Sequence, residues 1–242
     1  MDGAVRRAAT GAVHRAEAPV GTPAARSTRR SSPALDPELA TELVESVGKQ
    51  RGNRLAERLA QASDALDRER FQEAGRIAAA IAKEVPTVAA AHEVAGLAAY
   101  RLGRYKQAAK SLVTAQDLHA DPALLPVIAD CYRAQRRWAA VERVWAELKA
   151  ASPNHEVMAE GRIVAAGALA DRGDLRGALE VMEPATKRPK AIREFHLRQW
   201  YVLGDLYDRV GDPISARRWF AMVADVDADF ADVEARLRGL GR

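Results

Sequence analysis

The sequence predicts an all-α fold built from repeated helical hairpins, and three observations carry that prediction. Turn signals recur along the chain: Arg-Glu-Arg-Phe ending at Phe71, Gly-Arg-Tyr at Tyr105, Arg-Arg-Trp at Trp138, Arg-Gly-Asp-Leu at Leu175, and Gly211-Asp212-Pro213. Their spacings are 34, 33, 37 and 38 residues, a period that marks stacked supersecondary units. Small residues recur in step with the turns. Ala74, Ala108, Ala178 and Ala216 follow them, with Val141 the exception, and Ala62, Gly96, Ala129, Ala166 and Gly204 precede them. Finally, Pro86 and Pro153 each lie 15 residues after a turn, at Phe71 and Trp138, where a second helix should stop because proline has no N–H to continue the ladder.

The fifth unit is the most specific. Trp200, Leu203, Gly204 and Tyr207 spell W-x2-L-G-x2-Y, and Ala216 and Phe220 complete it with A-x3-F. Gly204 and Ala216 are small where two helices must approach within about 8–10 Å, and the three rings fill the space around them. This pattern resembles the tetratricopeptide-repeat signature. The resemblance covers about three quarters of the chain and implies a right-handed superhelical solenoid of about five helix pairs, with capping helices at both ends.

Taken in order, residues 1–35 are expected to be a disordered, Arg-rich tail, because they carry no aromatic and few large apolar groups to offset ordering entropy. Asp36-Pro37-Glu38 reads as a helix start. Leu39, Leu43 and Val47 would then line one face of a capping helix ended by Gly48, so that 36–53 forms cap and link. Asn53 is expected to cap the first helix of the array, which spans 54–228. Pro126 should distort the helix that opens near Pro122, since it too lacks an N–H. The run Pro184 to Lys190 supplies a loop insertion, and Pro189 suits the start of a lengthened helix through Trp200. Phe230, Val233 and Leu237 fall at i, i+3 and i+7 on a last helix within 229–242.

Composition bounds the function. The chain has 242 residues, 48% hydrophobic and 29% charged, with no apolar run near the roughly 20 residues needed to span a bilayer and no hydrophobic leader, so a cytoplasmic location is expected. Its lone Cys131 reads as a buried small hydrophobe. Residues 1–34 hold Arg6, Arg7, Arg15, Arg26, Arg29 and Arg30 against Asp2 and Glu17, which accounts for the whole net charge of +4. Such a tail can contact phosphate or an acidic protein, serve as a solvated leader, or act as an organelle transit segment. The five histidines lack metal-ligand spacing. Asp225, Asp227 and Asp229 resemble the start of a calcium loop, but Phe230 and Arg236 stand where Gly and Glu are required. Neither a phosphate loop nor a nucleophile elbow is present, so no catalysis, cofactor or metal is expected.

The resemblance also implies where a partner would bind. In tetratricopeptide-repeat proteins the first helices of the units line a concave groove that takes a peptide or helix of another protein. Carried onto this chain, the groove positions include Leu97, Tyr100 and Tyr201 as apolar anchors, Asp130, Arg133 and Asp205 to fix orientation, and Ile163 between them. The positions at which chaperone-binding members grip a terminal carboxylate hold Leu59, Ser63, Val94, Ala123 and Val127. With no cation among them, carboxylate-clamp chaperone binding is not expected. A protein-interaction scaffold is the leading reading, and a nucleic-acid-associated factor using the tail is the alternative.

Overall fold

A computed structural model describes residues 37–187 and 189–241. Among these residues every regular element is helical: twelve α-helices and two short 3-10 turns, with no strand. The arginine tail and the expected cap at Asp36 lie outside them. The chain falls into two compact units. In the first, α1 (Pro37–Val47), α2 (Lys49–Asp67), α3 (Phe71–Glu84), α4 (Ala89–Arg101), α5 (Tyr105–Leu118) and α6 (Leu125–Ala134) each pack on the next, and α2 also touches α4. The second holds α7 (Trp138–Ala151), α8 (His155–Asp171), α9 (Leu175–Met182), α10 (Glu194–Val210), α11 (Pro213–Ala224) and α12 (Val233–Leu240), again packed in sequence, with α8 touching α10.

All five expected second helices begin where the sequence places them, at Phe71, Tyr105, Trp138, Leu175 and Pro213. One backbone device sets each start. Two residues before it the chain turns left-handed, at Glu69 (φ 58°), Gly103 (φ 71°), Arg136 (φ 57°), Gly173 (φ 89°) and Gly211 (φ 87°). In four of the turns the next N–H reaches back five residues, from Arg70 to Ala65 O, Arg104 to Ala99 O, Asp174 to Leu169 O and Asp212 to Tyr207 O, at 2.7–3.0 Å. This is the Schellman closure, which satisfies carbonyls that the ending helix leaves open. The same residue then starts the second helix of the hairpin, and at Asp174 and Asp212 its carboxylate caps that helix by accepting from Gly177 and Ser215 N–H.

Two of the five left-handed positions carry a side chain at some cost, since a Cβ crowds the following carbonyl there. Arg136→Gly and Glu69→Gly are therefore expected to stabilise the protein, each by about 0.5–1 kcal/mol, read as a higher urea midpoint. Glu69 also meets Arg101 at 3.2 Å, but it is largely exposed, so losing that pair costs little.

The small residues sit where they were expected. Ala62, Ala74, Ala108, Ala166, Ala178 and Ala216 have no exposed surface. A Cβ on Gly96 would fall 2.6 Å from Leu112 in α5, and one on Gly204 would fall 2.8 Å from the Phe220 ring in α11, so both seats admit only glycine without displacement. Around them, Leu43, Leu55, Leu59, Ile77 and Ile81 form the core of the first unit. Trp200, Leu203, Trp219, Phe220 and Met182 form that of the second.

Three element boundaries differ from expectation, at Asn53, Pro189 and Phe230. α2 starts at Lys49, so Asn53 is a helix-interior residue and no cap; Gly52 lets α2 run under α1, because a Cβ there would meet Val44 Cα at 2.5 Å. At Pro126 the expected distortion is present: a 3-10 turn covers Pro122–Leu124 and α6 begins late, with the proline in its first turn where no N–H is missed. α10 begins at Glu194 and not at Pro189, with His196 Nδ1 accepting the Arg193 N–H at 2.9 Å. Phe230 is buried ahead of α12, which starts at Val233. The residues 225–229 that resembled a calcium loop form an exposed turn.

Candidate partner-binding face

On α4, Glu93, Leu97 and Tyr100 follow one another at helical spacing along a single face. Glu93 and Leu97 are half-buried, and Tyr100 is fully buried. Burial, followed by the nearby Asp121 carboxylate, raises the Glu93 pKa, with His119 opposing. Tyr100 Oη donates to Asp130 Oδ2 at 2.6 Å, and Arg133 Nε donates to Asp130 Oδ1 at 2.8 Å. Asp130 and Arg133 are 1% and 3% exposed. The three residues thus form a buried polar bridge between α4 and α6. They were expected to face a partner; instead they hold two helices together, and Leu97 alone of this set keeps surface to offer. Cys131 beside them is buried, and burial pushes its thiol far up in pKa, which makes it inert.

In the second unit, Ile163 has no exposed surface and packs among Ala166, Met182 and Trp200. Tyr201 and Asp205 lie one turn apart on α10 and are likewise buried. Residues 230–237 cover them. Tyr201 Oη donates to Asp232 Oδ1, and Arg236 Nη2 donates to Asp205 Oδ1 at 2.7 Å while lying 3.2 Å from Asp208 Oδ2. The Arg236 guanidinium sits 5.0 Å from the Phe220 ring centre, and Phe230 lies 6.0 Å from Tyr201. Burial raises the Asp205 pKa against the pull of Arg236 and Arg209. Asp205 Oδ2 has no hydrogen-bond partner among the described residues. Sequence reasoning missed Arg236 as a partner of this site; its place on the apolar side of the last helix, three residues after Val233, was the available signal.

A second polar cluster escaped the sequence entirely. Arg198 on α10 is 1% exposed, with Glu160 at 2.8 Å, Glu194 at 3.1 Å and Glu156 at 4.0 Å. The contact to Glu160 is a buried ion pair. Three carboxylates share one guanidinium, and the buried one yields: desolvation, with Glu156 and Glu194 adding to it, raises Glu160 to about 7 despite Arg198. The folded state therefore binds an extra proton between the ordinary value near 4.5 and about 7. Stability should fall as pH rises through that window. Glu160→Gln should flatten the fall, worth on the order of 1–3 kcal/mol between about pH 5 and pH 8, as read from urea midpoints of both proteins.

Where α9 stops after eight residues and the chain turns at Glu183–Thr186, a cleft of about 340 Å³ opens, lined by Thr186, Ile192, Trp200, Arg218, Trp219 and Met222. Among the described residues no three His, Cys, Asp or Glu side chains are placed to hold a metal ion, and no helix is long and apolar enough to cross a membrane. No family model matches the chain, and no curated protein matches it.

Proposed function

We propose that the chain is a helical-repeat scaffold of the tetratricopeptide type that docks a peptide or helix of another protein along the first helices of its hairpins, in the cytoplasm. The observation that supports this reading is the recurrence of one hairpin design: a left-handed residue two positions before each second helix and, for the hairpins that lie within one unit, a buried small residue on the helices that meet. A chain that repeats a packing unit with little chemistry in it produces surface for binding. The burial of Tyr100, Asp130 and Arg133 moves the contact surface of the first unit onto the half-buried side of α4, at Glu93 and Leu97.

A photo-crosslinking residue at Leu97 in the full chain is expected to capture defined proteins from lysate, while one at exposed Ala79 on α3 is not. Equal labelling from both positions, or none from Leu97, contradicts the reading. The charge count favours a second contribution, since the entire +4 excess lies in residues 1–34. If the tail contacts nucleic acid, a chain starting at Leu35 loses a steeply salt-dependent affinity for RNA or DNA that the full chain shows.

A further inference from the structure

We infer that the α10–α11 face around Tyr201, Asp205 and Phe220 is a helix-acceptor site, closed in cis by α12. Its partner is a short segment in which an aromatic, after a turn, precedes a helix that carries an aliphatic and an arginine, at the spacing of Phe230, Val233 and Arg236. The inference rests on the docking reading above and gives it a site and a ligand chemistry.

The segment that fills the site defines the recognition. Phe230, ahead of α12, and Val233, at its start, are both buried against the second unit's core and anchor the segment there. Asp232 accepts from Tyr201 Oη at one end, and Arg236 reaches Asp205 and Asp208 at the other. Aspartates below and an arginine above give the site its charge preference, and the guanidinium against the Phe220 ring adds to it.

Two features make α12 a replaceable occupant. It is eight residues long, too short to hold a helix in water by itself, so its order depends on docking; and its tether, residues 225–229, is exposed. It also leaves the site incompletely satisfied, because Arg236 donates to Oδ1 of Asp205 and the buried Oδ2 has no hydrogen-bond partner among the described residues. An arginine free of that tether can bind both oxygens in the fork geometry that carboxylates favour. The tether gives α12 an effective concentration in the millimolar range, so a competitor succeeds through better contacts or after α12 is loosened.

The test uses full-length chains and a fluorescent peptide of residues 227–241. A chain carrying Phe230→Ala and Arg236→Glu should bind the peptide at least about tenfold tighter than the wild type does. Adding Asp205→Asn and Asp208→Asn to that chain should abolish the gain, and a peptide carrying Arg236→Glu should not bind. Equal affinity for loosened and wild-type chains, or binding indifferent to the two aspartates, overturns the proposal. Wild-type amide exchange supplies a readout that needs no variant: α12 amides should exchange at least about 100-fold faster than those of α10 and α11. Exchange of α12 only together with the core overturns it as well. Crosslinking at Leu97 without peptide capture here would refute this site alone, whereas loss of both removes the docking reading beneath it.

Discussion

Asp130→Ala is expected to destabilise the protein by about 3–5 kcal/mol, the range for removing one partner of a buried ion pair. The carboxylate serves two donors at once, Tyr100 Oη on α4 and Arg133 Nε on α6, and at 1% exposure water cannot take its place. The loss should appear as a lower urea midpoint by circular dichroism. Asp130→Asn, which keeps an acceptor but no charge, should fall between the two. A change below about 1 kcal/mol for the alanine variant would mean that the bridge does not tie α4 to α6. The prediction also separates this role from partner contact, because a residue on an open binding face would change affinity and leave stability nearly untouched.

Trp200→Ala should cost a similar amount, about 3–5 kcal/mol, for a different reason. The indole is 2% exposed, packs in the core of the second unit, and donates from Nε1 to Ala185 O at 3.2 Å. Truncation removes the packing and leaves that carbonyl without its donor. Gly204→Leu tests the same interface from the opposite direction, since its first side-chain carbon already meets the Phe220 ring at 2.8 Å; overpacking of this kind costs about 1–3 kcal/mol. If both variants unfold at the wild-type urea concentration, the W-x2-L-G-x2-Y pattern does not mark a packed hairpin.

The hairpins were legible because their turns are written in local chemistry. Gly103, Gly173 and Gly211 take up the left-handed angle, Asp174 and Asp212 cap the second helices of their hairpins, and the spacing of small residues reports where helices touch. Glu69 and Arg136 adopt the same angle without a glycine to announce it, yet their turns could be read from the period alone. Two of the boundaries that failed, at Asn53 and Pro189, rested on residue preference, and at Asn53 tertiary packing overrode it, because Gly52 allowed α2 to continue back beneath α1.

The candidate site was less legible than the fold. A position on a first helix can face a partner or the next helix, and the sequence does not distinguish them. Tyr100 and Asp130 turned towards each other, while Tyr201 and Asp205 turned towards Asp232 and Arg236. The resemblance put Asp130, Arg133 and Asp205 at groove positions, and because charged residues are seldom buried unless paired, only three-dimensional pairing could place them inside. Arg198 and Glu160 were missed for the same reason.

Fold, site and proposed function all depend on one hairpin design recurring along the chain. Residue-resolved amide exchange of the full chain tests that recurrence most directly. Fast exchange is expected at the first, unbonded N–H groups of the five second helices, at residues 71–73, 105–107, 138–139, 176 and 214, as well as in the connections between hairpins. Protection running unbroken from the first helix into the second at any of the five turns would contradict it.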